Sequence, residues 1–433
     1  MSHTDRQDEQ AESAGIERAI LVGMDDLEGR GRRSMRELIE LAKTAGASVL
    51  GLVTQSRSKP DRRTWIGAGK LEELAVEAKA MDADVVIFNG ELSPVQNRNL
   101  VKALDCKVLD RTELILDIFA QHSRTREGKL QVELAQAQYS LPRLAGRGRM
   151  MDRIGGTRVG VGMGVRGPGE TKIDVERRTL RQRIQRLEDE IEEVRTRRET
   201  ERRARRQSGL PTASLVGYTN SGKSTLLNAL AGSHEVSTHD RLFETLDPTT
   251  RRIDLDDGRQ CLLTDTVGFI QDLPHQVVAA FRATLEEVTE ADLLLHVVDA
   301  AWPAAWEQYA AATEVLQELG AAEIPTIAVL NKIDLVSSER KLEILESRIP
   351  NTIRISALEG TGLDDLRRRM SDLLFAHLIE VTLHIPYDRM ELMELLNERG
   401  HVSATEYEPE YVVTRAEVDE PTLARVRDLV VNE

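Results

Sequence analysis

The stretch GYTNSGKS, Gly217 to Ser224, constrains this chain more than any other. It has the form G-x-x-x-x-G-K-S and lies directly between the apolar run SLV and the helical pattern TLLNALAG. A strand that delivers such a loop to a helix N-terminus sets unpaired N–H groups, and the positive end of the helix dipole, against phosphate oxygens. Gly217 and Gly222 stand where the backbone must take a shape that a side chain would block. Lys223 can reach the β- and γ-phosphates and the Ser224 hydroxyl is the expected Mg²⁺ ligand, while Tyr218, Thr219, Asn220, Ser221 and Thr225 fill out the cradle.

Four further strings follow in the order a GTPase needs. RLFETLDPTT carries Thr245, about twenty residues after the loop, where a switch threonine would bind Mg²⁺ and sense the γ-phosphate; Phe243, Glu244, Leu246 and Asp247 flank it. CLLTDTVGF ends an apolar run with Asp265, Thr266, Val267 and Gly268. This is a D-x-x-G, whose aspartate holds Mg²⁺ through a water and whose glycine N–H reads the γ-phosphate. NKID, Asn331, Lys332, Ile333 and Asp334, follows PTIAVL. Its aspartate can accept from N1–H and the 2-amino group of guanine, whereas adenine offers neither donor, so GTP is selected. Ser356, Ala357 and Leu358 complete a base pocket. Lys223, Thr245 and Gly268 are therefore the expected catalytic set, with Ser224, Thr245 and Asp265 for the metal.

One position departs from the usual hydrolytic design. After D-x-x-G, where a glutamine often orients the attacking water, stands Phe269, which can form no hydrogen bond through its side chain. Intrinsic hydrolysis should be slow, and a partner or another residue must supply the missing orientation. Asn220 offers two readings: a ligand for a K⁺ ion that substitutes for an arginine finger, or a side-chain bond that steadies the loop.

At 433 residues the chain is too long for one ordinary core. The reading divides it into a polar tail at 1–15, an N-terminal α/β domain at 16–125, a helical pair at 126–207, a GTPase domain at 210–375 and a small α/β domain at 376–433. The fold class is α/β, a P-loop GTPase domain with a mostly parallel sheet flanked by helices, and strands alternate with helices in the N-terminal part as well. The last segment reads strand, helix, strand, helix. Cys106 and Cys261 stand far apart, which excludes a disulfide scaffold and points to a reducing cytoplasm. No run is long and apolar enough to span a membrane, leaving at most peripheral association. A monomer is favoured.

The helical pair carries the partner signal. A break is expected near Gly128; Leu130, Leu134, Ala137 and Leu141 then form one apolar seam, and Ile173, Leu180, Ile184, Leu187, Ile191 and Val194 a second. Between the two, at about 143–172, lies GRGRMMDRIGGTRVGVGMGVRGPGETK, too rich in glycine for a regular element. Net charge is −15, yet from Arg147 to Arg206 there are 18 Lys or Arg against 11 Asp or Glu. A basic cluster in an acidic protein fits phosphate contact, and Arg147, Arg149, Arg153, Arg158 and Arg166 are the candidates; a solvated face and plain linker is the bland alternative. WIGAGKLEEL, with Gly67, Gly69 and Lys70, has only half of a phosphate-loop motif. It is either the turn that opens a helix or a second nucleotide or RNA contact.

From about Glu17 onward the chain resembles the HflX family of ribosome-associated GTPases. The residues that carry the likeness are LDRTELILDIFAQHSRTREGKLQVELAQ, RGPGETK with the following ERR, GYTNSGKS, FETLDPTTR and DTVGFI. The resemblance implies an N-terminal domain whose helical pair enters the large ribosomal subunit near the peptidyl transferase centre, and GTP hydrolysis stimulated by the ribosome. It also implies splitting or rescue of ribosomes under stress, and for some members ATP use through the N-terminal domain, which WIGAGK would serve. Two other classes stay open: an ATP-dependent RNA- or ribosome-remodelling protein, and a non-catalytic GTP-dependent adaptor.

Overall fold

The computed structural model describes residues 16–25, 30–57, 59–154, 172–207, 210–232, 243, 248–255, 258–270, 287–376 and 378–431. They form two compact units. In the first, strands β1 (Arg18–Asp25), β2 (Ser48–Ser56), β3 (Val85–Phe88) and β4 (Lys107–Asp110) make a parallel sheet in the order β2-β1-β3-β4, as the alternating pattern predicts. Strands covered by helices on both faces must be apolar throughout. Accordingly Ala19 to Val22 and Val85 to Phe88 are almost wholly buried. Helices α1 (Arg30–Thr44), α2 (Ala68–Ala80) and α3 (Pro94–Leu104) link the strands, and α4 (Arg111–His122) follows β4 directly.

Asp110 ends β4 and starts α4. Its Oδ1 accepts the Glu113 N–H at 3.0 Å in a capping box, and its Oδ2 accepts the Leu92 N–H at 2.9 Å, the Tyr139 hydroxyl and the Arg143 guanidinium. Burying a carboxylate with no exposed surface is tolerated when its oxygens are satisfied in this way. Arg143, at the edge of the Gly/Arg-rich stretch, is thus committed to Asp110 and Glu113, not to solvent.

Helices α5 (Arg126–Ile154) and α6 (Lys172–Gln207) form the expected pair. Leu130, Leu134 and Leu187 are buried with Ile184, Ile191 and Val194 packed against them, so both seams contribute. Two details correct the sequence reading. The break precedes Gly128, whose N–H donates to Thr125 Oγ1 at 3.0 Å, so the glycine falls in the first turn of α5 where a threonine cap starts the helix. Helix α5 also continues through Gly146 and Gly148 to Ile154. A glycine costs about 1 kcal/mol in a helix, a penalty that a helix already nucleated in its earlier turns can absorb. The rest of the glycine-rich stretch, 155–171, lies outside the described residues.

In the second unit, strands β5 (Thr212–Val216), β6 (Thr249–Asp254), β7 (Gln260–Asp265), β8 (Leu293–Asp299), β9 (Thr326–Asn331) and β10 (Thr352–Arg354) run in the order β10-β9-β8-β5-β7-β6. Only the β6–β7 pairing is antiparallel. The chain moves to one side of β5 for β6 and β7, then crosses to the other side for β8. This reversal opens a crevice at the carboxyl end of β5, the place where open α/β sheets receive ligands.

A three-stranded antiparallel sheet, β11 (Ile379–Pro386), β13 (Tyr411–Val418) and β12 (Gly400–Tyr407), carries helices of its own. The expected single strand between the last two helices is therefore two. The Glu408 N–H donates to Tyr411 O at 2.9 Å across the segment EPE, a short proline-containing turn inside one continuous run of strand-favouring residues. Arg259, at the far end of the β6–β7 hairpin, binds both carboxylate oxygens of Glu417 at 2.5 Å and lies 5.0 Å from the Phe375 ring centroid, joining this sheet to the larger one.

Candidate nucleotide site

Gly217 follows β5 with φ +136°, and a Cβ built on it would stand 2.3 Å from Val297 O. Gly222, φ +94°, caps the N-terminus of helix α7 (Lys223–Ala231), and a Cβ there would stand 2.2 Å from Asn331 Nδ2. Both glycines are required by backbone shape and by close approach together. Lys223 is 6% exposed, and its ammonium donates to Gly217 O at 3.2 Å and Tyr218 O at 2.8 Å. Burial pushes its pKa down to about 8, with Asp265 opposing the shift. An ammonium held out of water by two neutral carbonyls gains most when a phosphate arrives.

The Ser224 hydroxyl donates to Asp265 Oδ2 at 2.6 Å, and Asp265 has no exposed surface. Two hard oxygen donors side by side at a helix N-terminus fit a Mg²⁺ that keeps several of its waters and shares the nucleotide phosphates. Ser224 and Asp265 would hold that ion, which would supply charge neutralisation between the β- and γ-phosphates.

Beyond Asp265 the chain stays close to the phosphate loop. Thr266 Oγ1 donates to Leu215 O at 2.6 Å, and a Cβ on Gly268 would meet Thr219 Cα at 2.7 Å. The Phe269 N–H donates to Gly217 O at 3.0 Å, and Phe269 O accepts the Thr219 N–H at 2.8 Å. The Phe269 ring is 3% exposed, so this residue contributes backbone bonds and a buried ring and no group that could align water.

The base-side residues converge from three elements. Asn331, at the end of β9, donates from Nδ2 to Ser221 O at 2.8 Å and accepts the Ala357 N–H on Oδ1 at 3.0 Å. Ser356 is fully buried and Leu358 is 81% exposed. Lys332, in left-handed conformation at φ +62°, reaches back to Asn220 O at 2.7 Å. Asp334 sits exposed in the short helix Ile333–Leu335 that follows. The structure therefore brings together the phosphate loop, Asp265 to Gly268, Asn331 to Asp334 and Ser356 to Leu358.

The Phe243 ring is 2% exposed and stands edge-on to Phe119 of α4, centroids 4.6 Å apart. Glu244, Thr245, Leu246, Asp247, Arg158 and Arg166 lie outside the described residues, as do the side chains of Arg147, Arg149 and Arg153. The half-motif at Gly67 opens α2, but the Gly67 N–H is already donated to Gln55 Oε1 at 2.8 Å and Lys70 is paired with Glu73 at 2.9 Å.

Two residues of β8 escaped the sequence reading. His296 is 2% exposed and stacks on Tyr309 with centroids 4.6 Å apart; burial, reinforced by the Lys223 charge, drops its pKa to about 3 and keeps the ring neutral. Asp299 pairs with Lys332 at 2.9 Å. Nothing in the pattern LLLHVVDA marks the histidine, whereas an acid closing an apolar strand in a nucleotide fold was a usable signal.

This fold and site define a guanine-nucleotide-binding enzyme of the P-loop GTPase class. Family models match along most of the chain: "GTP-binding GTPase N-terminal" over residues 32–120, "GTP-binding GTPase Middle Region" over 122–205 and "50S ribosome-binding GTPase" over 212–332. The GTPase HflX of Caldanaerobacter subterraneus subsp. tengcongensis is 45% identical over 96% of this chain and 94% of its own length, and that of Escherichia coli K12 is 44% identical over 86% of each. A GDP complex of a GTP-binding protein from Sulfolobus solfataricus covers 83% of this chain and 99% of its own, with TM-score 0.45 and 27% identity. The chain belongs to the HflX family of GTPases. No described helix is long and apolar enough to cross a membrane.

Proposed function

We propose that this GTPase binds the large ribosomal subunit in its GTP state, hydrolyses GTP there, and splits or rescues stalled ribosomes under stress. The observation that carries the reading is Phe269. Buried, and bonded through its backbone to Gly217 and Thr219, it leaves the attacking water without a protein group where a glutamine often stands, so turnover depends on a partner. The description of the matching family model, a 50S ribosome-binding GTPase, favours the large subunit as that partner. The basic excess from Arg147 to Arg206 supplies the charge to meet ribosomal RNA.

In this reading Lys223 holds the phosphates, Ser224, Thr245 and Asp265 the Mg²⁺, Gly268 senses the γ-phosphate, and Asn331 and Asp334 choose guanine. The five-part division at 15, 125, 207 and 375 stands as part of it, with 126–207 as the ribosomal arm, and the cytoplasm is the place of action. Asn220, exposed at the tip of the phosphate loop with φ +60°, is the candidate K⁺ ligand.

Binding is tested by sedimentation with purified large subunits. Co-pelleting is expected with a non-hydrolysable GTP analogue and should fall about tenfold or more with GDP. Replacing Arg147, Arg149, Arg153, Arg158 and Arg166 together by glutamate should abolish it at physiological salt. Equal pelleting in both nucleotide states, or indifference to the arginines, would remove the proposal.

A further inference from the structure

Asp299 closes β8 and lies opposite Asn331 of β9 in the sheet register. Its carboxylate has two engagements. Oδ1 accepts the N–H groups of Ala301 at 2.9 Å and Trp302 at 3.1 Å, and Oδ2 lies 2.9 Å from Lys332 Nζ. That same ammonium donates to the carbonyl of Asn220 at 2.7 Å, at the tip of the phosphate loop. The pair is partly shielded, with 23% of the Lys332 side chain and 16% of the Asp299 side chain exposed. Lys341, from helix α8 (Glu339–Arg348), donates to the carbonyls of Ala301 at 2.7 Å and Trp302 at 3.1 Å. The turn after β8 is therefore gripped through its amides by Asp299 and through its carbonyls by Lys341, which holds the Asp299 carboxylate in place.

We propose that Asp299 is a positioning residue for guanine nucleotide: it anchors the Lys332 ammonium against the Asn220 carbonyl, so that the phosphate-loop tip and the base loop are joined before the nucleotide arrives. Two features require such an anchor. Lys332 holds left-handed backbone, φ +62°, which a long side chain keeps only when its surroundings enforce it, and Asn220 shares the conformation at φ +60°. Lys332 also spans the gap on a flexible four-carbon stem, whose ordering is unfavourable without a fixed counter-charge. An anchor formed in the free protein removes that ordering from the binding step, so it acts on affinity and not on the chemical step.

A purely structural reading would confine Asp299 to its turn, and asparagine separates the two. In Asp299→Asn the Oδ1 oxygen still accepts from Ala301 and Trp302, and only the ion pair is lost. The measurements are the KM and kcat of GTP hydrolysis and the Kd of a fluorescent GDP analogue, on the full chain without ribosomes. They rest on the GTPase activity and are independent of the ribosomal proposal. The expected result is a rise of about tenfold in KM and Kd with kcat changed by less than about twofold. Added to Lys332→Gln, which itself weakens binding, Asp299→Asn should produce no further loss, because the aspartate acts through the lysine. Asp299→Glu, which keeps the charge, should retain affinity within about threefold and decides the matter should the asparagine variant not fold. Unchanged KM and Kd in Asp299→Asn, losses that multiply in the double variant, or a glutamate variant as weak as the asparagine one would each overturn the proposal.

Discussion

Asp334→Asn is expected to weaken GTP binding about 10³-fold and to create binding of xanthosine triphosphate in its place. The carboxylate is the group that can accept from both N1–H and the 2-amino group of guanine, whereas an amide places a donor where xanthine has an oxygen. A polar pocket built for one hydrogen-bond pattern rejects the other by large factors because its own groups are left unpaired. In the proposed reading the neighbouring residues hold Asp334 in place for this selection. Asn331 is pinned between Ser221 O and the Ala357 N–H, which fixes the end of β9, and Asp334 stands exposed on the short helix just beyond. Equilibrium binding of the two fluorescent nucleotides to wild type and variant makes the comparison. A variant that still prefers GTP would show that another group reads the base.

The second large effect is expected at Gly217. An alanine Cβ would stand 2.3 Å from Val297 O, a backbone atom of the central strand β8 that cannot move aside, and φ +136° is itself a conformation that side chains rarely take. Strain and collision act together, so Gly217→Ala should lose at least about 3 kcal/mol of stability and more than about 100-fold in nucleotide affinity. Gly232 provides the contrast. It also has a positive φ, +62°, but nothing lies within 4 Å of its Cβ position, so Gly232→Ala should cost only about 1 kcal/mol. Thermal unfolding of the two variants and fluorescent-nucleotide titration of Gly217→Ala check these three numbers. Similar behaviour of the two would mean that the close approach of Gly217 to Val297 does not decide the outcome.

Most of the nucleotide site was legible because its parts are short strings with fixed chemistry at strand ends. Gly217, Gly222, Lys223, Ser224, Asp265 and Asn331 meet where the motif spacing put them. The four-stranded parallel sheet was equally readable, since strands buried on both faces are continuous apolar runs. What could not be read depends on long-range partners. Asp110 serves as a helix cap and at the same time as the partner of Tyr139 and Arg143, an arrangement made between residues distant in sequence. The salt bridge of Asp299 with Lys332 has the same character. Glycine is a weaker signal: Gly146 and Gly148 predict an end to regular structure, yet α5 runs through them, two local penalties of about 1 kcal/mol each notwithstanding. The C-terminal strand count failed for a different reason, a three-residue acidic turn hidden in a run of strand-favouring residues.

The proposed dependence of hydrolysis on the ribosome is tested most directly by steady-state GTP turnover of the purified chain in K⁺ buffer, with and without large ribosomal subunits. A stimulation of about tenfold or more is expected, roughly 1.4 kcal/mol of barrier, supplied where Phe269 offers no water-positioning group. Equal turnover with and without subunits would contradict the claim that the ribosome completes this active site.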